Sequence, residues 1–438
     1  MVGLFLFFLA LIFLFVGYPI AFTFAGLSLL TVYFSNLFGL LDQGIEMYNF
    51  MPFRLYNIMQ NTILMAIPMF IFMGIVLQKT GLAERLLESM GKLFGSRSGG
   101  LAISTLIVGA FLAASTGVVG ASVVAMGVIS LPVMLKYNYD QRLATGTICA
   151  AGTLGQIIPP SIILIILGDV MSVPVGDLFK SAMIPGLILV GFYLVYVWTY
   201  THLYKDSAPP IPSDAENKYE LIKDAVWNII PPLLLIIVVL GSILTGIATP
   251  TESSALGAIG SLILGRVYMG KLKFDMVADA AKETVKVTSM VFAVLIGATA
   301  FSMVFTYSGG DFIVEQQLTS LPGERWTFIA LSMLVIFVLG FFIDFVEIAF
   351  IVVPILAPIA EALGLNMIWF GILVAMNLQS SFMTPPFGFS LFYLKGVAPA
   401  EVKITSIYKG VIPFVCIQIT LVILLVVFPE YLIADMWE

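Results

Sequence analysis

Two carboxylates stand in a stretch that otherwise offers almost nothing but hydrocarbon. Asp344 and Glu347 lie inside the apolar run from Val335 to Leu356, three residues apart and so on one helical face. A carboxylate at membrane depth is costly without a partner, so such a group marks an ion or proton path by default. Oxygen-bearing side chains collect at three further interruptions of apolar sequence. Ser115, Thr116 and Ser122 flank glycines in the first half, followed by Pro132. Thr153 and Gln156 precede Pro159-Pro160, and Asn377, Gln379, Ser380, Ser381 and Thr384 precede Pro385-Pro386. Each proline removes a backbone donor and leaves the carbonyl four residues earlier without its helical partner. Freed carbonyls beside hydroxyls suit a hard cation such as sodium, at the Ser122 and Asp344 neighbourhoods.

Other chemistries fit less well. A buried ion pair would also accommodate Asp344 and Glu347, and small residues around Ser115–Ser122 would also serve close helix packing. An intramembrane enzyme using the two carboxylates as an acid–base pair lacks any visible nucleophile–base arrangement or metal triad. The phosphate loop G-x-x-x-x-G-K-[ST] is absent, which argues against ATP-driven pumping. Cys149, Cys416 and the single His202 build neither a disulfide framework nor a metal set. No basic patch suggests nucleic acid.

The elements that hold these residues must be membrane helices. Of 438 residues, 60% are hydrophobic and 11% charged, with a mean hydropathy of +1.07. Soluble domains carry about a quarter charged residues. The chain is therefore an all-α polytopic membrane protein. The N-terminal run lacks a basic region and a cleavage site, so it reads as a span rather than a signal peptide.

Two halves share one punctuation. Ser122 and Asp344 are each followed ten residues later by a proline, Pro132 and Pro354, and a Pro-Pro element comes next in each half. Paired interruptions of this kind point to a secondary transporter with inverted-topology repeats. The expected organisation is scaffold spans and an interfacial helix over 1–60, and a first repeat over 61–204. A polar linker covers 205–223, scaffold spans and an amphipathic connector cover 224–287, and a second repeat covers 288–438. Each repeat is read as hairpin, broken span, Pro-Pro span and final span. The re-entrant hairpins are placed at 62–79 and at 288–308, the latter centred on Gly297, Thr299 and Ser302. On that count, fourteen of the twenty Lys and Arg share one side, which puts both termini outside the cytoplasm. Thr249-Pro250-Thr251-Glu252 reads as a capped helix start. Arg54, just before the first expected hairpin, could meet an anionic substrate, although a topology-setting role explains it as well.

These residues carry a family likeness. Ile67-Pro68-Met69-Phe70, Gly155-Gln156-Ile157-Ile158-Pro159-Pro160-Ser161, Ala248-Thr249-Pro250-Thr251-Glu252, Gly340 through Asp344 to Pro354, and Thr384-Pro385-Pro386-Phe387-Gly388 span nearly the whole chain. Together they resemble the DctM-type large membrane subunit of tripartite ATP-independent periplasmic (TRAP) transporters. The resemblance implies a bacterial inner-membrane, sodium-driven importer of elevator type with two re-entrant hairpins and no cofactor beyond the coupling ion. It implies a separate small four-helix membrane subunit, and a periplasmic binding protein that delivers small organic anions such as carboxylates. The alternative within transport is a stand-alone sodium/anion symporter. A channel explains the inverted repeats less well.

Overall fold

The computed structural model describes residues 2–41, 44–95, 97–210, 218–270 and 272–433. The described residues form helices and connecting turns, with no strand. The first half runs α1 (Val2–Val16), α2 (Ile20–Leu37), α3 (Met51–Gln60), α4 (Ala66–Lys79), α5 (Leu82–Phe94), α6 (Gly100–Thr116), α7 (Val119–Lys136), α8 (Gln141–Thr153), α9 (Ile162–Val170) and α10 (Val175–Leu203). The second runs α11 (Lys218–Leu244), α12 (Pro250–Met269), α13 (Phe274–Tyr307), α14 (Gly310–Thr319), α15 (Glu324–Leu339), α16 (Phe345–Ile351), α17 (Val353–Ala362), α18 (Met367–Met383), α19 (Phe389–Val397), α20 (Ile404–Val427) and α21 (Pro429–Leu432). Much of the linker expected at 205–223 falls at 211–217, outside the described residues.

The fold-backs lie elsewhere than the sequence suggests. Leu101, at the start of α6, donates its backbone N–H to the Tyr139 hydroxyl just beyond α7, at 3.3 Å. Gly99 and Asp140 donate to the carbonyls of Ala208 and Ser207, at 3.1 and 2.8 Å. Both ends of the α6–α7 pair are thus pinned to one short segment, so 100–136 leaves a face and returns to it. Gly117 makes the turn: it ends α6 in the left-handed region at φ 61° and donates to Ala113.

The second hairpin follows from register. Phe328 of α15 meets Phe370 of α18 with centroids 5.9 Å apart, and Asn377 of α18 donates to the Met333 carbonyl at 2.7 Å. Gly340 then packs on Ser381. So α15 and α18 run parallel along their lengths, and the α16–α17 leg between them must carry the chain back. That leg bends by 51° near Val352, ahead of Pro354.

The hairpins expected at 62–79 and 288–308 are therefore corrected. Residues 274–307 are one continuous helix, with no proline or left-handed glycine to turn it. Gly297 serves a close helix crossing instead, since a Cβ there would lie 2.5 Å from the Ala21 carbonyl oxygen of α2. The Thr299 hydroxyl simply returns to the Leu295 carbonyl at 2.7 Å. Residues 66–79 are likewise one helix, bent by 57° from the segment that precedes it.

The two halves are interlocked. The second-half α13 packs along α2, and the first-half α4 packs along α12. Outside them, α6–α7, α8–α9 and α10 of the first half correspond to α15–α17, α18–α19 and α20 of the second. Five crossings separate the hairpins (α8–α9, α10, α11, α12 and α13), so they open on opposite faces and the repeats are inverted. Two displaced hairpins compensate one another in the parity count, but loop charges are redistributed. Among the described residues, Arg54, Lys180 and Arg325 are the only Lys or Arg on the face of the N-terminus. The fourteen-to-six division expected from the sequence, which puts Lys79, Arg85, Lys92 and Arg97 on the N-terminal face, is thus corrected: these four lie on the opposite face.

Local sequence fixes the joints. Thr249 caps α12 by the expected capping box: its hydroxyl accepts from the Glu252 N–H at 3.3 Å, while Glu252 accepts from the Thr249 N–H at 2.8 Å. The helix α5 buries Leu82, Leu86, Leu87 and Met90 along one face, as an amphipathic arm lying between α4 and the first hairpin. Pro231 and Pro232 deprive the Trp227 and Asn228 carbonyls of their helical donors. The buried Tyr268 hydroxyl of α12 lies 3.1 and 3.3 Å from those two oxygens. The Arg85 guanidinium lies over the same ring, 5.7 Å from its centroid. Tyr268→Phe leaves both carbonyls without that donor and is expected to cost about 1–2 kcal/mol. Thermal unfolding in detergent, compared with the parent, reads this as a lowered Tm.

Candidate functional site

Each half contains an elbow where a span is unwound at a Pro-Pro pair. Pro159-Pro160 separates α8 from α9, Pro385-Pro386 separates α18 from α19, and both bonds are cis. The carbonyl four residues before the second proline is satisfied in the same way in both halves. Ser161 donates its hydroxyl to the Gln156 carbonyl at 2.6 Å, and Ser390 donates to the Phe382 carbonyl at 2.9 Å. The carbonyls before the first prolines belong to Gly155 and Ser381. The latter accepts from the Thr384 N–H at 3.1 Å. For Gly155, Pro159 supplies no donor.

A hairpin tip rests against each elbow. At Gly117 a Cβ would come within 3.5 Å of the Pro160 carbonyl oxygen and within 3.1 Å of Ile162. Thr116 and Ser122, on the two legs, place their hydroxyls 2.7 Å apart in a buried contact. Ser115 and Thr116 each donate back to the Leu112 carbonyl, at 2.9 Å. In the second half Gly340 packs on Ser381, and the rings of Phe342 and Phe387 lie 5.2 Å apart. Asp344 caps α16, its carboxylate accepting from the Phe345 N–H at 2.7 Å.

Both tips also meet the scaffold, and α7 crosses onto the opposite half. Gly74 of α4 lies so close that an added Cβ would stand 2.5 Å from the Thr116 Cα and 2.7 Å from the Ser115 carbonyl oxygen. Phe15, near the end of α1, meets Phe342 edge to face at 4.7 Å. Gly120 of α7 abuts the ring of Tyr393 in α19.

Several polar groups here have no protein partner. Gln156 and Gln379 are buried, and both amide atoms of each lack a hydrogen bond. One carboxylate oxygen of the buried Glu347 also stands alone. Glu347 is among the residues of the second hairpin that line, with Phe7, Leu11 and Phe24 of α1 and α2, a void of about 10 Å³. Among the described residues neither Asp344 nor Glu347 forms a salt bridge, and no three His, Cys, Asp or Glu converge as a metal cluster. Buried polar atoms without partners cost about 1–3 kcal/mol each. Others, such as Ser130 and Ser181, lie away from the elbows, but Gln156 and Gln379 leave one such amide beside the Pro-Pro element of each half, which suits water or a small hydrated ligand.

The structure thus brings Ser115, Thr116, Ser122, Pro159 and Gln156 to one tip–elbow junction. It places Asp344, Gln379, Ser380, Thr384 and Pro385 around the other, with Thr153 and Asn377 on the supporting helices. Thr153 donates to the Ala150 carbonyl at 3.0 Å, and Asn377 ties α18 to α15. Gly297, Thr299 and Ser302 lie within α13, away from either tip. Arg54 lies in α3, which has no buried residue. Sequence reasoning gave no role to Ser390 and Tyr393, and held Gly74 and Gly340 only as parts of family-like runs. A serine following each Pro-Pro was a usable signal. The close approaches at Gly74 and Gly340 depend on tertiary packing and had none.

Residues 6–431 match the family described as tripartite ATP-independent periplasmic transporter, DctM component. The chain belongs to that family. It is a transporter permease component rather than an enzyme. It is 31% identical over 386 residues to the C4-dicarboxylate TRAP transporter large permease protein DctM of Vibrio cholerae, covering 84% of each chain. It is 29% identical over 368 residues to the ectoine TRAP transporter large permease protein TeaC of Halomonas elongata, again covering 84% of each. With the isethionate TRAP transporter permease protein DctMQ of Oleidesulfovibrio alaskensis it shares 30% identity over 361 residues, 82% of this chain and 56% of that longer protein. The fold is similar to the crystal structure of the YdaH transporter of Alcanivorax borkumensis, with a TM-score of 0.57, 16% identity and 85% of each chain covered.

The Gly74 contact yields a direct test. Gly74→Val should displace the first hairpin tip and cost about 1–3 kcal/mol through overpacking. Transport should fall further than Gly74→Ala causes, with the variant still monodisperse in detergent.

Proposed function

We propose that this chain is the membrane-permease component of a sodium-coupled secondary importer for small organic anions, chiefly carboxylates. A small four-helix membrane subunit would complete the permease, and a periplasmic binding protein would deliver the substrate. The carrying observation is the pair of tip–elbow junctions, each combining unwound backbone with buried polar groups that no protein atom satisfies. In such proteins half-helix ends and unwound backbone serve as the ligands for substrate and coupling ions.

The residues divide the work. Thr116, Ser122 and the Gly155 carbonyl supply neutral oxygens at the first junction. Asp344, Ser381 and Thr384 supply oxygens with a formal charge at the second. A cation held by Asp344 would cancel its charge and lower the cost of bringing an anion beside it. Gln156 and Gln379 offer both donors and acceptors, which suits a carboxylate and its hydrating water. The basic-poor loops on the N-terminal face support a periplasmic location for both termini in a bacterial inner membrane.

The connections support an elevator motion. The hairpins, elbows and final spans pack among themselves, whereas α2, α4, α12 and α13 form the interlocked scaffold. The amphipathic arms α5 and α14 join the two, and left-handed glycines stand at their starts and at the starts of the hairpins: Gly81, Gly99, Gly309 and Gly323. Glycine accepts backbone rotation there at little cost.

Uptake into proteoliposomes carrying the assembled transporter tests the reading. Asp344→Ala and Asp344→Asn should both abolish uptake driven by an inward sodium gradient, while the proteins stay folded. Uptake with unchanged sodium dependence in either variant would refute the assignment.

A further inference from the structure

Away from the tips, at the open end of the first hairpin, lies a cavity of about 370 Å³. Its lining includes three cationic or protonatable side chains, Arg97, His202 and Lys205, together with Ser98 and Trp198. No acidic residue lines it; Asp206, next to Lys205 in sequence, is not among the lining residues. None of the three bases takes part in a salt bridge among the described residues. The Trp198 indole stacks on the His202 imidazole at 5.7 Å with the planes 12° apart, fixing one wall. The floor is held by Ser98, whose hydroxyl lies 2.9 Å from the Ala208 carbonyl and 3.2 Å from that of Thr201. The cavity is therefore bounded by a rigid hairpin base and the end of a long span.

A topological role for these charges requires only that they lie in loops. Here they converge on one hollow instead, beside a membrane-facing surface. The last turns of α10 present Trp198, Leu203 and Tyr204 with 58%, 70% and 61% of their surfaces exposed. Tryptophan and tyrosine concentrate at headgroup level, and basic pockets between spans recognise phosphate-bearing headgroups. The size falls within the range of small-ligand pockets, about 300–1,000 Å³.

We propose that this pocket binds the phosphate headgroup of an anionic phospholipid, with Arg97, His202 and Lys205 around the phosphate and Trp198 against the acyl–glycerol junction. A lipid seated there would brace the base of the first hairpin against α10. Nothing in this assignment depends on the substrate or on sodium.

Native mass spectrometry of the detergent-extracted protein, titrated with phosphatidylglycerol or phosphatidylcholine, tests it. The parent should hold one phosphatidylglycerol in preference to phosphatidylcholine, and should gain thermal stability from phosphatidylglycerol but not from inorganic phosphate. The charge-neutral, similarly sized variant R97Q/K205Q should weaken retention about fivefold for each basic residue removed. H202A, which leaves both flanking charges in place, guards against a folding defect and should weaken retention less. Equal retention by parent and R97Q/K205Q would overturn the proposal. So would stabilisation by inorganic phosphate alone, which would make the pocket a site for free anions.

Discussion

In a bilayer interior no water stands ready to satisfy a backbone N–H or C=O, so every break in a helix must be covered by protein. That constraint organises this molecule. Among the described residues, two hairpin turns and two Pro-Pro elbows are such breaks. Each tip is laid on the elbow of its own half, and serines from the following half-helices take the carbonyls that the second prolines release. Because breaks cover breaks, the unwound backbone ends up concentrated in two places rather than scattered. In those two places the backbone offers oxygens the helix no longer uses.

The halves are alike in backbone and unlike in charge. At the first junction the tip is built from Ser115, Thr116 and Gly117 and carries no formal charge. At the second, Asp344 caps the returning leg and Glu347 follows one turn on, lining a void with α1 and α2. The inverted repeat therefore sets an uncharged junction in one half against a junction that carries a carboxylate in the other. The interlocked scaffold adds a mechanical asymmetry: Gly74 of α4 touches the first tip, while Phe15 of α1 touches the second. The same seam that holds the hairpins in place must be released if they are to move.

Much of this was legible in the sequence, and the reasons are physical. Apolar length and low charge identify membrane spans, because a bilayer leaves few alternatives. The Pro-Pro elbows were visible since proline's missing donor has a fixed consequence. The Thr249–Glu252 capping box was readable because it is local. The hairpins were misplaced for the opposite reason. Residues 288–308 look like a tip, rich in glycine, alanine, threonine and serine, but small residues serve a tight α2–α13 crossing as well as a turn. Conversely, 100–136 looks like one interrupted span, because Gly117's left-handed turn reverses the chain without any change in hydrophobicity. Non-local contacts distinguish the two: the tie between Leu101 and Tyr139, and the bonds from Gly99 and Asp140 to Ala208 and Ser207. Exchanging a hairpin for a span twice left the inversion intact, so the topology survived errors in its parts.

The central claim is that 100–136 and 324–362 are hairpins entering from opposite faces. It is tested most directly by cysteine labelling on a background in which Cys149 and Cys416 are replaced. Single variants R97C, K136C, P322C and E361C would be probed with a membrane-impermeant thiol reagent applied to sealed right-side-out or inverted vesicles. The account predicts that R97C and K136C label together from one face, and P322C and E361C together from the other. Labelling of R97C and K136C from opposite faces would contradict it.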